Sequence, residues 1–342
     1  LKSHPNMISL HGNLAAAYAS LGQYPKAEAA LRETLRLAPG NWRAWRNLCQ
    51  VLASMNRPDD AIATAQEMVK AIPNHPESHA TLGRAMSAAD RLKEADSAYR
   101  ESLALRPEDP STLFGLAVVL ERSARFSEAA DFFKRADEIG SKQPGWKLPA
   151  ASMAEDSLRL ADADRRLPRI LEGEESPRSS LDRLELYRVC LFKKQYVAAA
   201  RFAAEILKND PTFGEDLSRP LHGMIAFAAL SASIGQGVDA PPESSPDRQS
   251  LRGRALAMLN EELVVFQRSW DQANAHNKQR IISHIEHSKR SASSLLRHDP
   301  AQFAKLSTEE QQAWLELWKL QDQFLERIKA EVKSLTLPNQ AS

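Results

Sequence analysis

Along the first 140 residues, apolar side chains return at a fixed interval of 34 positions. Leu14, Leu48, Leu82 and Leu116 form one column, Ala27, Ala61, Ala95 and Ala129 a second, and Pro39, Pro73 and Pro107 a third. The three columns stay in phase, which marks an internal repeat. The first unit reads Leu14-Ala15, Tyr18, Gly22, Tyr24, Ala27, Leu31, Pro39, and the second Trp45, Leu48-Cys49, Leu52, Ala61, Pro73. The third reads Leu82-Gly83, Met86, Leu92, Ala95, Tyr99, Pro107, and the fourth Leu116-Ala117, Leu120, Phe126, Ala129, Phe133, Ala136. Apolar residues at i and i+4 share one face of a helix, so each unit predicts two amphipathic helices. The small residue after the leucine and the alanine of the second helix let the two helices approach closely. The proline ends the second helix and opens the next unit.

These columns resemble the tetratricopeptide (TPR) consensus W-x2-L-G-x2-Y, A-x3-F, P. The resemblance implies an all-α fold, a right-handed α-solenoid of TPR helix pairs closed by a C-terminal helical cap. No single pair buries its apolar face alone, and stacking does so. The implied function is to hold another polypeptide on the concave face.

The regular units cover residues 5–140, and beyond them the period breaks. Residues 141–180 read as an irregular connector. SKQPGWKLP (141–149) is rich in turn formers, a helix follows over 150–171 with Met153, Leu158, Leu160, Leu167 and Leu171 as apolar positions, and GEESPRSS (173–180) is a polar loop. A degenerate fifth repeat spans 181–213, with Leu186, Cys190, Tyr196, Ala199, Ala203, Leu207 and Pro211 in register. A split sixth spans 217–270. Its Phe227, Gly235, Ala255 and Leu259 are separated by an exposed loop, 237–250, that carries three prolines. Residues 275–334 read as a two-helix cap. The first helix runs from His276 to Leu296, before His298-Asp299-Pro300. The second starts at Ser307, where Ser307-x-x-Glu310 forms a capping box, and carries Trp314, Leu317, Trp318, Gln321, Leu325, Ile328 and Val332 as one stripe.

Several later segments are more distinctive: PGW, RLPRILEGE (166–174), LELYRVCLFKKQYVAAARFAAEILKNDP (184–211), IGQGVDAPP (234–242), LRGRALAMLNEEL (251–263) and DPAQFAKLSTEEQQAWLELWKLQDQFL (299–325). Together with the repeats they resemble the C-terminal TPR region of the planctomycete serine/threonine protein kinases. That resemblance implies an upstream kinase domain in a bacterial parent protein, and a chain that opens at Leu1 inside a helical pattern fits a segment lying before it. The chain itself holds no G-x-G-x-x-G loop, no His-Arg-Asp loop and no Asp-Phe-Gly motif. Asp131-Phe132-Phe133 lacks the glycine. No family catalytic residue transfers, and the expectation is a non-enzyme with no cofactor and no metal.

Composition narrows the partner. A net charge of +1 gives no overall pull toward nucleic acid or membrane. The longest apolar stretch, Met224 to Ile234, is too short to span a bilayer. Cys49 and Cys190 each stand alone in helical patterns, so a reducing, cytoplasmic setting is expected. His284-x-x-His287, with His276 and His298 nearby, lacks further ligands and reads as a solvated face. The stretch 276–298 is basic, with Lys278, Arg280, Lys289, Arg290 and Arg297 against Glu286, which leaves nucleic-acid binding as a subordinate alternative.

The better candidate is the groove formed by the first helices. Arg43, Arg46, Asn47 and Gln50 belong to it in the second repeat, Glu77, Ala80 and Arg84 in the third, and Ser111, Phe114, Val118 and Arg122 in the fourth. Arginine forks match carboxylates, so an acidic segment is the expected ligand. The competing reading is that these arginines pair with neighbouring glutamates. The TPR clamp for a chaperone C-terminal carboxylate is not matched. Asn13, Arg43 and Asn47 come near it, but Gly12 and Ala16 stand where its Lys and Asn belong.

Overall fold

The computed structural model describes residues 5–214, 221–290 and 294–336. Among the described residues the chain forms seventeen α-helices, one short 3-10 turn and no strand. It divides into two compact units, Leu1–Ala161 and Asp162–Ser342.

The first unit contains α1 (Pro5–Ser20), α2 (Tyr24–Leu37), α3 (Trp42–Ser54), α4 (Pro58–Ala71), α5 (Pro76–Ala88), α6 (Leu92–Leu105), α7 (Pro110–Arg122), α8 (Phe126–Gly140) and the first half of α9 (Ala150–Leu171). From α1 to α8 each helix packs on the next, and α5 also touches α3 and α7. This is the expected stack of TPR helix pairs. Helix starts are set locally. Proline occupies the first turn of α2, α4, α5 and α7, where its missing N–H costs nothing. The Asn41 and Asp109 side chains accept hydrogen bonds from the amides of Ala44 and Thr112.

Inside each pair the chain reverses at one left-handed residue. Gly22, Asn56, Asp90 and Ala124 have φ of 70°, 57°, 60° and 57°, at the same 34-residue interval as the apolar columns. The next amide bonds back to the carbonyl five residues earlier: Gln23 to Tyr18, Arg57 to Leu52, Arg91 to Met86 and Arg125 to Leu120, at 2.8–3.0 Å. This is the Schellman closure, which satisfies the last carbonyls of the first helix.

The alanine column is buried throughout. The leucine column is less uniform. Leu48 and Leu116 are buried, Leu82 is half-buried, and Leu14 is 38% exposed. Tyr99 does what no column announces. Its ring lies between α5 and α7, so close that a Cβ on Gly83 would stand 2.9 Å from Cγ and one on Gly115 2.8 Å from Cζ. Trp146 of the PGW turn lies over Gly140 in the same way, filling the space beside α8. Leu158, expected among the apolar positions of α9, is 43% exposed; Ala150, Ala154, Leu160, Ala163, Leu167 and Ile170 are that helix's buried apolar positions.

The second unit opens with the rest of α9, then α10 (Ser180–Phe192), α11 (Tyr196–Asn209), a 3-10 turn (Pro211–Gly214), α12 (Leu221–Ser233), α13 (Asp247–Trp270), α14 (Ala275–Arg290), α15 (Ser294–Arg297), α16 (Pro300–Ala304) and α17 (Thr308–Thr336). The same reversal recurs. Lys194 has φ 57° and Gly235 φ 86°, with Gln195 bonded back to Cys190 and Gln236 to Ser231. Buried Arg166 fixes α9 to α10 through Glu175 at 2.5 Å and Asp182 at 2.7 Å. Residues 217–220, expected to open the sixth repeat, lie outside the described residues. Helix α12 carries the Met224–Ile234 stretch up to Ser233 and is buried on nearly all sides, with α11 and α13 packed against it.

Two expectations need correction here. Residues 247–250, assigned to the loop, form the first turn of α13, and the rest of that loop is tethered. The Val238 amide bonds to the Lys194 carbonyl at 2.9 Å, and the Asp239 carboxylate accepts from the Ala198 amide at 3.0 Å, capping α11. The histidine-bearing helix is not a solvated face. Ile281, Ile282, Ile285 and Ser288 are buried, and His284 stacks on Phe266 with centroids 6.1 Å apart. Of the expected 276–296 helix, α14 and α15 are described; residues 291–293 lie outside the described residues.

Helix α17 starts at the expected capping box, after the short α15 and α16. The Ser307 hydroxyl accepts from the Glu310 amide at 3.2 Å and the Glu310 carboxylate from the Ser307 amide at 3.3 Å, closing the box reciprocally. Trp314, Leu317, Trp318, Gln321, Leu325 and Ile328 are buried, and α17 packs on α13 and α14.

Three substitutions test these contacts. Ala124 bears a Cβ in a conformation that costs an L-residue roughly 1–2 kcal/mol, so Ala124→Gly is expected to stabilise the chain by about 1 kcal/mol. Urea unfolding followed by helical circular dichroism reads this, and an unchanged or lower midpoint counts against the strain. Gly83→Ala gains helix propensity yet forces its Cβ against Tyr99, and overpacking outweighs the gain for a net loss of about 1 kcal/mol. Gly253→Ala, in α13 with nothing within 4 Å of the new Cβ, is expected to stabilise by up to about 1 kcal/mol.

Candidate functional site

The structure brings four of the groove residues together. Arg46, Asn47 and Gln50 of α3 and Arg84 of α5 line one cavity of about 530 Å³, with Thr81 and Cys49 at its wall. That volume lies in the range of ligand clefts. The helix period explains the grouping. Residues 46, 47 and 50 are one turn apart on the exposed side of α3, and α5 packs beside α3, which presents Arg84 to them. No carboxylate lines the cavity. Arg84 is braced by an ion pair to Glu77, outside the cavity, and by a 2.9 Å hydrogen bond to the Thr81 hydroxyl at its wall. The cavity is a basic recess with amide groups beside the charges.

Arg43 lies on the flank of this recess. Its guanidinium sits 4.6 Å from the centroid of the Trp42 ring, and that of Arg46 sits 5.2 Å from the same ring. Trp42 in turn stacks on His75, with centroids 5.3 Å apart. A tryptophan face attracts cations and holds both arginines without neutralising them. Trp42 and His75 were not among the expected site residues. The signal was the pair Trp42 and Trp45 at the start of α3, of which only Trp45 falls in the repeat column. Trp45 is structural: its Nε1 donates to the Pro39 carbonyl at 2.8 Å.

The fourth-repeat residues do not join the recess. Phe114 packs edge-on against the buried Phe133 at 5.2 Å, and both it and Val118 are half-buried against the core. Arg122 donates to the Ser87 carbonyl at 2.8 Å and to Asp90 at 2.8 Å, clamping α7 to the turn after α5. The pairing reading holds for Arg84, whose partner is Glu77, and for Arg122, whose partner is an aspartate. Ala80, placed in the groove by its spacing, is buried, and Ser111 is exposed.

Burial pushes the Cys49 thiol up to about 12, against a smaller downward pull from Arg84. Cys190 is pushed up to about 12 by burial as well. Neither is an activated nucleophile. Among the described residues no group of three or more His, Cys, Asp or Glu is placed to hold a metal ion, and no helix is long and apolar enough to cross a membrane.

Tetratricopeptide repeat family models match residues 18–85 and 81–144. No curated protein matches the chain by sequence. Among solved structures, the chain is similar to MamA from Desulfovibrio magneticus RS-1 (23% identity over 42% of this chain and 80% of that one, TM-score 0.35). It is similar to pilF of Pseudomonas aeruginosa (17% identity, 60% and 93%, TM-score 0.39) and to the first TPR of Spaghetti (RPAP3), solved bound to the HSP90 peptide SRMEEVD (17% identity, 36% and 98%, TM-score 0.33).

The raised thiols give a direct check. With pKa values of about 12, only about one thiol in ten thousand is ionised at pH 8. Alkylation of the native chain by iodoacetamide is expected to be at least about a hundredfold slower than for free cysteine, and to recover in denaturant. Rapid labelling of either cysteine in the folded chain would contradict the burial described.

Proposed function

We propose that this chain is a non-catalytic protein–protein interaction scaffold whose second and third repeats hold an acidic segment of a partner polypeptide. The observation that carries the reading is the 530 Å³ recess between α3 and α5, where Arg46 and Arg84 meet Asn47 and Gln50 with no carboxylate in the lining. Guanidinium groups bind carboxylates in paired hydrogen bonds, and the amides can bond a peptide backbone. TPR repeats indicate such a scaffold in general, and the charge of this recess selects the partner's chemistry. We further infer that the scaffold belongs to a serine/threonine protein kinase and serves to recruit its substrates or regulators. The likeness of the segments beyond residue 141 to the tails of such kinases supports this, and the gene sequence upstream of Leu1 tests it. A cytoplasmic setting goes with that parentage.

Nucleic-acid binding through 276–298 is less favoured. Lys289 and Arg297 both pair with Asp322 of α17 at 2.5 Å, so these cations hold the cap together.

The test is fluorescence anisotropy with fluorescein-labelled decapeptides, one acidic (alternating Glu and Leu) and one basic (alternating Lys and Leu). The acidic peptide is expected to bind in the micromolar range and to weaken as salt rises. Arg46→Glu and Arg84→Glu are each expected to weaken it at least tenfold, while Arg122→Glu has a smaller effect. Equal binding of the basic peptide, or indifference to both recess substitutions, would overturn the assignment.

A further inference from the structure

The second unit holds a cavity of a different kind. About 350 Å³ lies between α10, α12, α13 and α14, walled chiefly by Tyr187, Leu191, Met224 and Phe227, with His284 and Glu262 completing the wall. Glu262 is buried, and among the described residues no lysine or arginine pairs with it. One carboxylate oxygen accepts a 3.1 Å hydrogen bond from the Gly223 amide, and the Ser288 hydroxyl lies nearby. That approach exists because residue 223 lacks a side chain: a Cβ there would stand 2.7 Å from the same oxygen. A carboxyl group in an apolar cavity with no cation is an uncompensated arrangement, since burying a charge is costly unless it is paired. The cavity has room for the missing partner.

We propose that this cavity is a binding site for a small apolar cation, a primary amine carried on an aromatic or branched aliphatic body, whose ammonium group pairs with Glu262 while its body lies against Leu191, Met224 and Phe227. The chemistry follows from the lining. The apolar wall takes an apolar body of about ten heavy atoms, the size that fills a cleft near the lower end of the ligand-binding range. The aromatic faces of Tyr187 and Phe227 favour a cation over a neutral group. The Tyr187 hydroxyl is already used, donating to the Met224 carbonyl at 3.4 Å, which leaves the carboxyl as the polar anchor.

Burial raises Glu262 to about 7, the Gly223 hydrogen bond and the nearby Ser288 hydroxyl offsetting only part of the effect. The other titratable groups on the wall are Tyr187, which burial keeps in its neutral form, and His284 and His287 of α14. An amine stays protonated well above neutrality. Raising the pH from 6 to 8 therefore ionises Glu262, which favours a cation. The ionised fraction of a group near 7 rises about tenfold over that interval, so affinity is expected to rise by about as much.

The experiment titrates the full chain with phenethylamine, 2-phenylethanol and 3-phenylpropionate, read by calorimetry and by the methyl resonance of Met224. Phenethylamine is expected to bind at least tenfold more tightly than the alcohol, with the carboxylate weakest, and to tighten from pH 6 to pH 8. Glu262→Gln, which keeps the volume and the Gly223 hydrogen bond, is expected to lose at least tenfold for the amine while leaving the alcohol unchanged. Leu191→Trp, which narrows the cavity, is expected to abolish binding of all three with helical content retained, and it decides the question where Glu262→Gln fails to fold. Equal binding of amine and alcohol, an amine affinity untouched by either substitution, or no amine binding at millimolar concentration would each overturn the site. The recess between α3 and α5 is a separate site, so the two assignments stand or fall independently.

Discussion

The chain depends on one backbone constraint, the reversal at a left-handed residue that folds each first helix onto its second. The same closure recurs at Gly22, Asn56, Asp90, Ala124, Lys194 and Gly235, each followed by an amide bonded five residues back. It fixes the length of the first helix and the angle at which the second returns. Everything downstream inherits that geometry. The alanine column meets its neighbours at close range because the pair closes at a constant place, and α3, α5 and α7 touch because successive pairs start alike. Glycine suits this position best, yet only two of the six are glycine. The closure is thus held by tertiary packing as much as by local preference, and Ala124 and Lys194 show how far packing can override it.

The same repetition produces the recess. Two arginines from consecutive first helices arrive side by side because those helices are equivalent in their pairs. Their company then differs. Arg46 rests on an aromatic plane, Arg84 is braced by Glu77, and Arg122, one repeat on, is spent on Ser87 and Asp90. The three arginines stand 38 residues apart, one helical turn further along each successive first helix, so each meets different neighbours.

Much of the fold was legible because it is periodic. Three columns at 34 residues define the helix pairs, and Ser307-x-x-Glu310 declares the start of α17 on chemistry local to four residues. The site was legible only in part. Spacing shows which side chains face the groove, but whether a cation there is free depends on a residue far along the chain, as Asp90 is for Arg122. Spacing also counts an alanine such as Ala80 as facing outward when its neighbours cover it. Glu262 was invisible for a related reason. Asn260-Glu261-Glu262 looks like a hydrated surface run, and only the approach of α12 at Gly223 takes one of the two glutamates out of water. The His284 helix was misjudged because three isoleucines among many polar residues give a narrow stripe, and a narrow stripe still suffices when α13 and α17 pack against its helix.

The Tyr99 ring has a consequence for how such a chain can change over time. Helical arrays lengthen and shorten readily when each unit meets the next through interchangeable surfaces. Here one side chain of the third repeat fits between a glycine of its own pair and a glycine of the fourth. Duplicating or excising either repeat alone would set a full-sized side chain against that ring or leave a void in its place. Repeats three and four therefore form a single heritable module, and copying or loss of units is free to occur only on either side of it.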